Sequence, residues 1–310
     1  MAASRQDDLV GDVFPDVLAE HVRRIQQQVP GAVTDEPDGV HRLRTSVRKL
    51  RTVLAVYKPV FDHAAAVELR GRLATLGEVL GEVRDLEVRR EDVEQVGRRS
   101  RVPLEARERL VADLDAQHAV AHRALVEWCA GDEMRRLTAD LVRGVADPPL
   151  TDAADSRARK VARRRLRKAG RRAARAATDV DLAQLAAATG DLVDPTSTDG
   201  AELLAAAHRL RKAGRRLAHA VAAVTDTPTR VLGSSADHLG AAGKQVQSTL
   251  GDHRDAVLLA RWVGEVAAVV EAEGGDRSPY DRLARAAQRR AETAAAEAAS
   301  AVDQLLEAVS

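Results

Sequence analysis

Apolar residues recur along this chain at every third and fourth position, the spacing that lines one face of an α-helix, and no segment alternates with period two between turn residues. After a tail expected to be disordered over residues 1–11, the pattern predicts a first helix over 14–29, ended by Pro30-Gly31. The polar stretch TDEPDG leads into a second helix over 41–57 that stops before Pro59. Asp62 offers an N-cap for a long helix through Leu69, Leu73, Leu76 and Leu80 to about residue 90. Amphipathic stretches follow over 104–129, 132–145 and 156–177. The segment TGDLVDPTSTDG, residues 189–200, has the turn chemistry of a linker. Beyond it, helices are expected over 201–224, 229–251, 252–273 and 279–309. The reading is an all-α protein.

Composition sharpens this. Aromatic residues make up only 2% of the 310 positions, so the core must be small aliphatic side chains packed between helices. The 48 basic and 47 acidic residues nearly cancel, so a polyanionic partner has to be caught by a local concentration of one sign. Cys129 is the only cysteine, which excludes an internal disulfide and a cysteine-based zinc cluster. The opening MAASRQDDLV lacks the apolar run of a secretory signal, and no run of about 18 apolar residues occurs, so a cytoplasmic protein without membrane association is expected.

One pattern occurs twice. HRLRTSVRKL, from His41, aligns with HRLRKAGRRL, from His208, at an offset of 167, and LGEVRD, from Leu80, aligns with LGDHRD, from Leu250, at an offset of 170. Two motifs in the same order at nearly the same separation indicate a duplication. The expected division is a first helical bundle over 12–188, the linker 189–200 and a second bundle over 201–309.

The cations of the repeat fall on one side. With His41 at 0° and about 100° per residue, Arg44 lies near 300°, Arg48 near 340° and Arg51 near 280°, while Leu43, Val47, Leu50, Leu54 and Tyr57 fall between about 160° and 240°. The stripe therefore borders the buried face. His208, Arg211 and Arg215 take the same angles, Lys212 and His219 widen the stripe, and Gly214 stands where the first copy has Val47, a place for close helix approach. Like charges at these spacings repel by a few tenths of a kcal/mol per pair. Either acids on neighbouring helices or an external anion must offset that.

A third basic element, residues 157–175, contains no acid at all. It reads as an interaction element, with a solvated surface face as the alternative. Phosphate is the anion best matched to these groups, because guanidinium forks give bidentate charge-assisted bonds to its oxygens, and a histidine among phosphates is easier to protonate. Many cations in rows call for a multivalent ligand.

The duplicated helix, with His41, Arg44, Arg48 and Lys49 in one copy and His208, Arg211, Arg215 and Arg216 in the other, each followed by L-G-x-x-R-D, resembles the CHAD domain, the conserved histidine α-helical domain. The likeness runs from about residue 12 to the C-terminus. It implies a pseudo-two-fold pair of antiparallel four-helix bundles with a basic central groove or pore, binding of inorganic polyphosphate without catalysis, and association with polyphosphate granules. The site residues it implies are His41, Arg44, Arg48, Lys49 and Arg51, and His208, Arg211, Lys212, Arg215 and Arg216, the second copy having Ala218 in place of Arg51. Arg164, Lys168, Arg171 and Arg172 are similar to a basic helix of the family, and Arg289 sits on a C-terminal helix with the same basic spacing.

Other chemistry finds little support. Glu82 with Asp85, and Asp252 with Asp255, are expected to pair with the stripe arginines. Cys129 beside Trp128 reads as a buried small hydrophobe, and His21, His63, His118, His122, His219 and His238 read as packing or surface residues. No phosphate-cradling glycine loop, no triphosphatase E-x-E-x-K strand, no metal site and no cofactor motif is present, so no enzymatic activity is expected. Two other readings stay open: a nucleic-acid module using the same cations, disfavoured because base stacking needs aromatic platforms, and a helical protein-interaction adaptor whose basic stripes are neutralised within the fold.

Overall fold

The computed structural model describes residues 7–188, 198–226 and 229–310, and every regular element among them is helical. Ten α-helices are described: α1 Val10–Val33, α2 Gly39–Val56, α3 His63–Arg99, α4 Leu104–Ala130, α5 Asp132–Ala146, α6 Ala158–Thr178, α7 Leu182–Ala188, α8 Thr198–Thr225, α9 Ser234–Ala272 and α10 Ser278–Val309. The all-α expectation holds. Of the expected tail and linker, residues 1–6 and 189–197 lie outside the described residues, while Val10 already opens α1 and Thr198 opens α8.

Helix boundaries differ from the periodicity reading in several places, the helix expected from 229 starting at Ser234 and α7 not being expected at all, and three of the differences have a local reason. The first helix runs through Pro30 to Val33, because proline's fixed φ suits a helix and its own carbonyl still accepts from the Thr34 amide at 2.9 Å and from Thr34 Oγ1 at 3.0 Å. The helix from His63 reaches Arg99 because Val93 and Val96 keep it buried beyond residue 90. The expected break at Gly251-Asp252 is absent: α9 is one helix of 39 residues, with the glycine tolerated in its interior at a cost of about 1 kcal/mol.

The chain groups into two compact units, each drawing on both halves of the sequence. The first comprises Met1–Arg84, Val120–Arg171 and Arg216–Ala241. Here α1 packs along α2, and the chain turns between them so tightly that a Cβ on Gly39 would collide with the Gly31 carbonyl, which explains the glycine at 39. Its core gathers Phe14, Leu18, Ile25, Leu43, Leu50, Tyr57 and Phe61 with Leu73, Leu76 and Leu80. The Phe14 ring tilts against Tyr57 at 4.9 Å, and the buried Tyr57 hydroxyl donates to the Ala220 carbonyl at 2.8 Å.

The second unit comprises Asp85–Ala119, Arg172–Arg215 and Ala242–Ser310. Val93, Leu110, Leu114, Leu259, Val263, Tyr280 and Leu283 form its main cluster, and α7 packs on α10. Alanine dominates the buried side of α10, which lets this helix lie close to its neighbours. Among the described residues no helix is long and apolar enough to cross a membrane.

Candidate polyanion-binding surfaces

In the first unit, α2 holds Leu43, Val47, Leu50 and Leu54 in the core and leaves its cations at the edge of that face, as the angles require. His41 is exposed, and Arg44, Arg48, Lys49 and Arg51 are half-buried. Two of these arginines lie across glycines one turn apart on α3: a Cβ on Gly81 would sit 3.4 Å from Arg44 Nη2, and one on Gly77 would sit 3.3 Å from Arg51 Nη1. The missing side chains thus make room for guanidinium groups. Burial, then the neighbouring Arg70, lowers the Arg51 pKa, with Glu78 opposing. His41, Arg44 and Arg48 also have polar or electrostatic partners inside the protein.

Lys49 departs from this group. It lines a cleft with His21 and Arg24 of α1 and with Asp226 and Thr229. On the wheel it lies about 160° from Arg51, so one helix sends these two cations in different directions.

In the second unit, His208 is half-buried with Arg211 Nη2 3.4 Å from its Nδ1. Burial is the largest influence on its imidazole, followed by Lys212, Arg211, Arg254 and Arg215, and together they push its pKa down to about 4. The ring is neutral at neutral pH inside a ring of cations. Asp255 lies within electrostatic reach of Arg211 and 3.5 Å from Arg254, yet burial, reinforced by Asp92 and Asp85, raises its pKa. Asp252 faces Arg290 at 3.7 Å, and Arg290 also bonds the buried Asp92. Asp255 thus lies within electrostatic reach of the stripe through Arg211, while Glu82 and Asp85 are at the surface, Asp85 with a partner inside the protein. Arg215 is half-buried and Lys212 exposed, and both have partners within the protein. Arg216, also exposed, belongs to the first unit.

The basic helix α6 buries only Ala158, Ala162, Leu166, Ala169, Gly170, Ala173 and Ala177. Those positions span about 120° of the wheel, and the opposite side exposes Lys160, Arg163, Arg164, Arg167, Lys168, Arg171, Arg172 and Arg175. None of the salt bridges among the described residues engages these eight side chains. Arg157 instead bonds Asp7, and Arg165 turns inward to donate to the Val56 carbonyl at 2.5 Å. The sequence reading named Arg164, Lys168, Arg171 and Arg172 here. Arg163 and Arg167 belong with them on exposure, and their i, i+3 and i+4 spacing carried that signal.

The remaining candidates separate. Arg289 is exposed on α10, whereas its neighbour Arg290 serves the acids. Sequence reasoning passed over Arg254 and Arg290, although the first stands inside the L-G-x-x-R-D motif. His118 has Glu87 at 3.9 Å, and His122 bonds the Ala32 carbonyl at 2.9 Å with Asp35 at 3.9 Å. Cys129 is half-buried, and burial raises its pKa, as for an unreactive thiol. Tyr57, Tyr280, Phe14 and Phe61 are all buried, and Trp262 is capped by Arg89 at 5.4 Å.

The sequence matches the family described as CHAD domain over residues 16–264. No curated protein matches it. Solved structures share the fold, two of them as follows. PptA from Streptomyces chartreusis superposes with a TM-score of 0.68 at 19% identity, covering 97% of this chain and 99% of its own. The CHAD domain from the plant Ricinus communis gives 0.64 at 20% identity, covering 100% of this chain and 94% of its own.

Proposed function

The chain belongs to the CHAD domain family, and from that premise we propose that it is a non-enzymatic binder of inorganic polyphosphate, which it holds through the basic surfaces of α2, α6 and α8. The observation that carries this reading is the exposed side of α6, eight cations that no described acid neutralises. A linear anion with one charge per phosphate can engage several guanidinium groups at once, and each contact releases condensed counterions. His208 adds a group that gains a proton when an anion arrives. No bond is broken in this function. Attachment to polyphosphate granules follows as its cellular form.

Nucleic acid would use the same cations, but the burial of both tyrosines and both phenylalanines leaves little for bases to stack on. The test is charge reversal at three exposed positions, Arg164→Glu, Lys168→Glu and Arg171→Glu, whose side chains make no core contacts. Retention on immobilised long-chain polyphosphate should fall at least about tenfold, and the slope of log affinity against log salt should flatten by roughly 0.7 per lost contact. Helical content should stay the same. Unchanged retention by the folded triple variant overturns the reading, as does an oligonucleotide that displaces polyphosphate better than the reverse.

A further inference from the structure

His21 lies on the apolar side of α1 among Val17, Leu18, Val22 and Ile25, and is only 7% exposed. Its Nδ1 is enclosed and has no hydrogen-bond partner, a costly state for a buried polar atom. The ring borders a shallow, solvent-open cleft whose charged walls are Glu20 and Arg24 of α1, Lys49 of α2 and Asp226 at the end of α8, with Thr229 beside them. Glu20 is already occupied: Arg23 donates to its two oxygens at 2.9 and 2.8 Å, and Arg24 donates at 2.6 Å. That fixes Arg24 in place. No salt bridge among the described residues engages Lys49, which sits close enough to His21 to act on its charge. The cleft therefore offers an ammonium, an anchored guanidinium and one edge of an imidazole, faced by the carboxylate of Asp226, while that of Glu20 is held by its two arginines.

This combination discriminates between kinds of phosphoryl group. An internal group of a polyphosphate chain has no P–OH near neutral pH, only bridging oxygens and ionised ones that Asp226 repels. A terminal group, or free orthophosphate, keeps a P–OH near neutral pH and can donate it to Asp226 while its other oxygens accept from Lys49, Arg24 and the ring. We propose that the cleft binds a single protonated phosphoryl group, either free orthophosphate or the end of a linear polyphosphate. The chain-end source rests on the polyphosphate reading; the orthophosphate source does not. Burial first, then Arg24 and Lys49, with Glu20 opposing, pushes His21 down to about 4, so the ring is neutral near pH 7 and able both to donate and to accept.

The test follows the histidine ring signals of the full chain by NMR at pH 7 and fixed ionic strength, with His21 assigned through His21→Gln. Three probes separate the sources: orthophosphate, linear tripolyphosphate, and cyclic trimetaphosphate, which has no chain end. Orthophosphate and tripolyphosphate should move the His21 signals, trimetaphosphate should not, and the bound ring should titrate closer to its ordinary value. If orthophosphate alone acts, the site is for the free ion; if tripolyphosphate acts at much lower concentration, it is for the chain end. Lys49→Met should weaken either response about tenfold, and Asp226→Asn should let trimetaphosphate act. The proposal is overturned if the signals stay still up to about 50 mM of both linear probes, beyond the range of a useful millimolar site, or if trimetaphosphate acts equally on the unaltered protein. Retention of long chains by the same protein reports the α6 reading separately, so either can fail while the other stands.

Discussion

The two copies of the repeated helix keep the same row of cations but seat it differently. In α2, Arg44 and Arg51 rest over Gly81 and Gly77 of α3. In α8 the position of Arg51 is Ala218, and the position matching Gly77 is Gln247, so the arginine and its glycine are missing together. The second copy also has Gly214 where the first has Val47; a Cβ there would lie 2.8 Å from the Gly243 carbonyl and 3.2 Å from Val246 Cγ1. The first copy makes room for a charged group, and the second makes room for a backbone. A duplicated motif can thus preserve its chemistry while its packing diverges.

The sharpest way to break the comparison is at that glycine. Gly214→Ala should destabilise the protein by about 1–3 kcal/mol, because the clash is with backbone that cannot swing aside, and the loss would appear as a lower midpoint in urea. Val47→Ala, in the fully buried counterpart, should cost a similar amount for the opposite reason, an unfilled space.

The histidines give a smaller, pH-dependent contrast. His208 is held near 4, and on the polyphosphate reading a phosphate beside it would favour its imidazolium, so polyphosphate affinity should rise, with uptake of a proton, as pH falls from about 7 toward 4. His208→Gln should flatten that rise, measured by calorimetry in buffers of different ionisation enthalpy, while His41→Gln, at an exposed position, should leave more of it. Stability runs the other way: a ring near 6.5 when unfolded and near 4 when folded contributes fully above 6.5, and that contribution is lost as pH falls through the window to 4.

The smallest effects belong to the matched glycines of the second motif. Gly81→Ala and Gly251→Ala should each stabilise their helices by up to about 1 kcal/mol, since Gly251 faces open space and Gly81 only the movable end of Arg44. Gly81→Ala should additionally alter polyphosphate retention by displacing Arg44. Equal retention by both variants would remove Arg44 from the binding surface.

Much of this was legible in the residues. The angles that set Arg44, Arg48 and Arg51 at the edge of the apolar face of α2 describe the folded helix, and the acid-free run of α6 does expose its cations. Lys49 was harder: its angle separated it from the stripe, but the motif spacing grouped it with Arg48. Gly251-Asp252 imitates a helix end and a cap, and only the burial of Val246, Leu250 and Ala256 around it keeps α9 continuous. Arg290, the partner of Asp92 and Asp252, comes from a segment far along the chain, so no spacing rule finds it, whereas Asp255 has Arg254 beside it. His21 was visible as an apolar-face residue, but its cleft needs α2 and the end of α8 to complete it.

The alanine strip beneath α6 gives dissolved salt two opposed roles. Small methyl groups grip weakly, and the bare cations above them push one another apart, so added ions should firm this helix by shielding that mutual repulsion. The same ions compete for whatever anionic chain lies upon it. On the polyphosphate reading, the conditions that make α6 most comfortable alone should be those in which the polyanion leaves it.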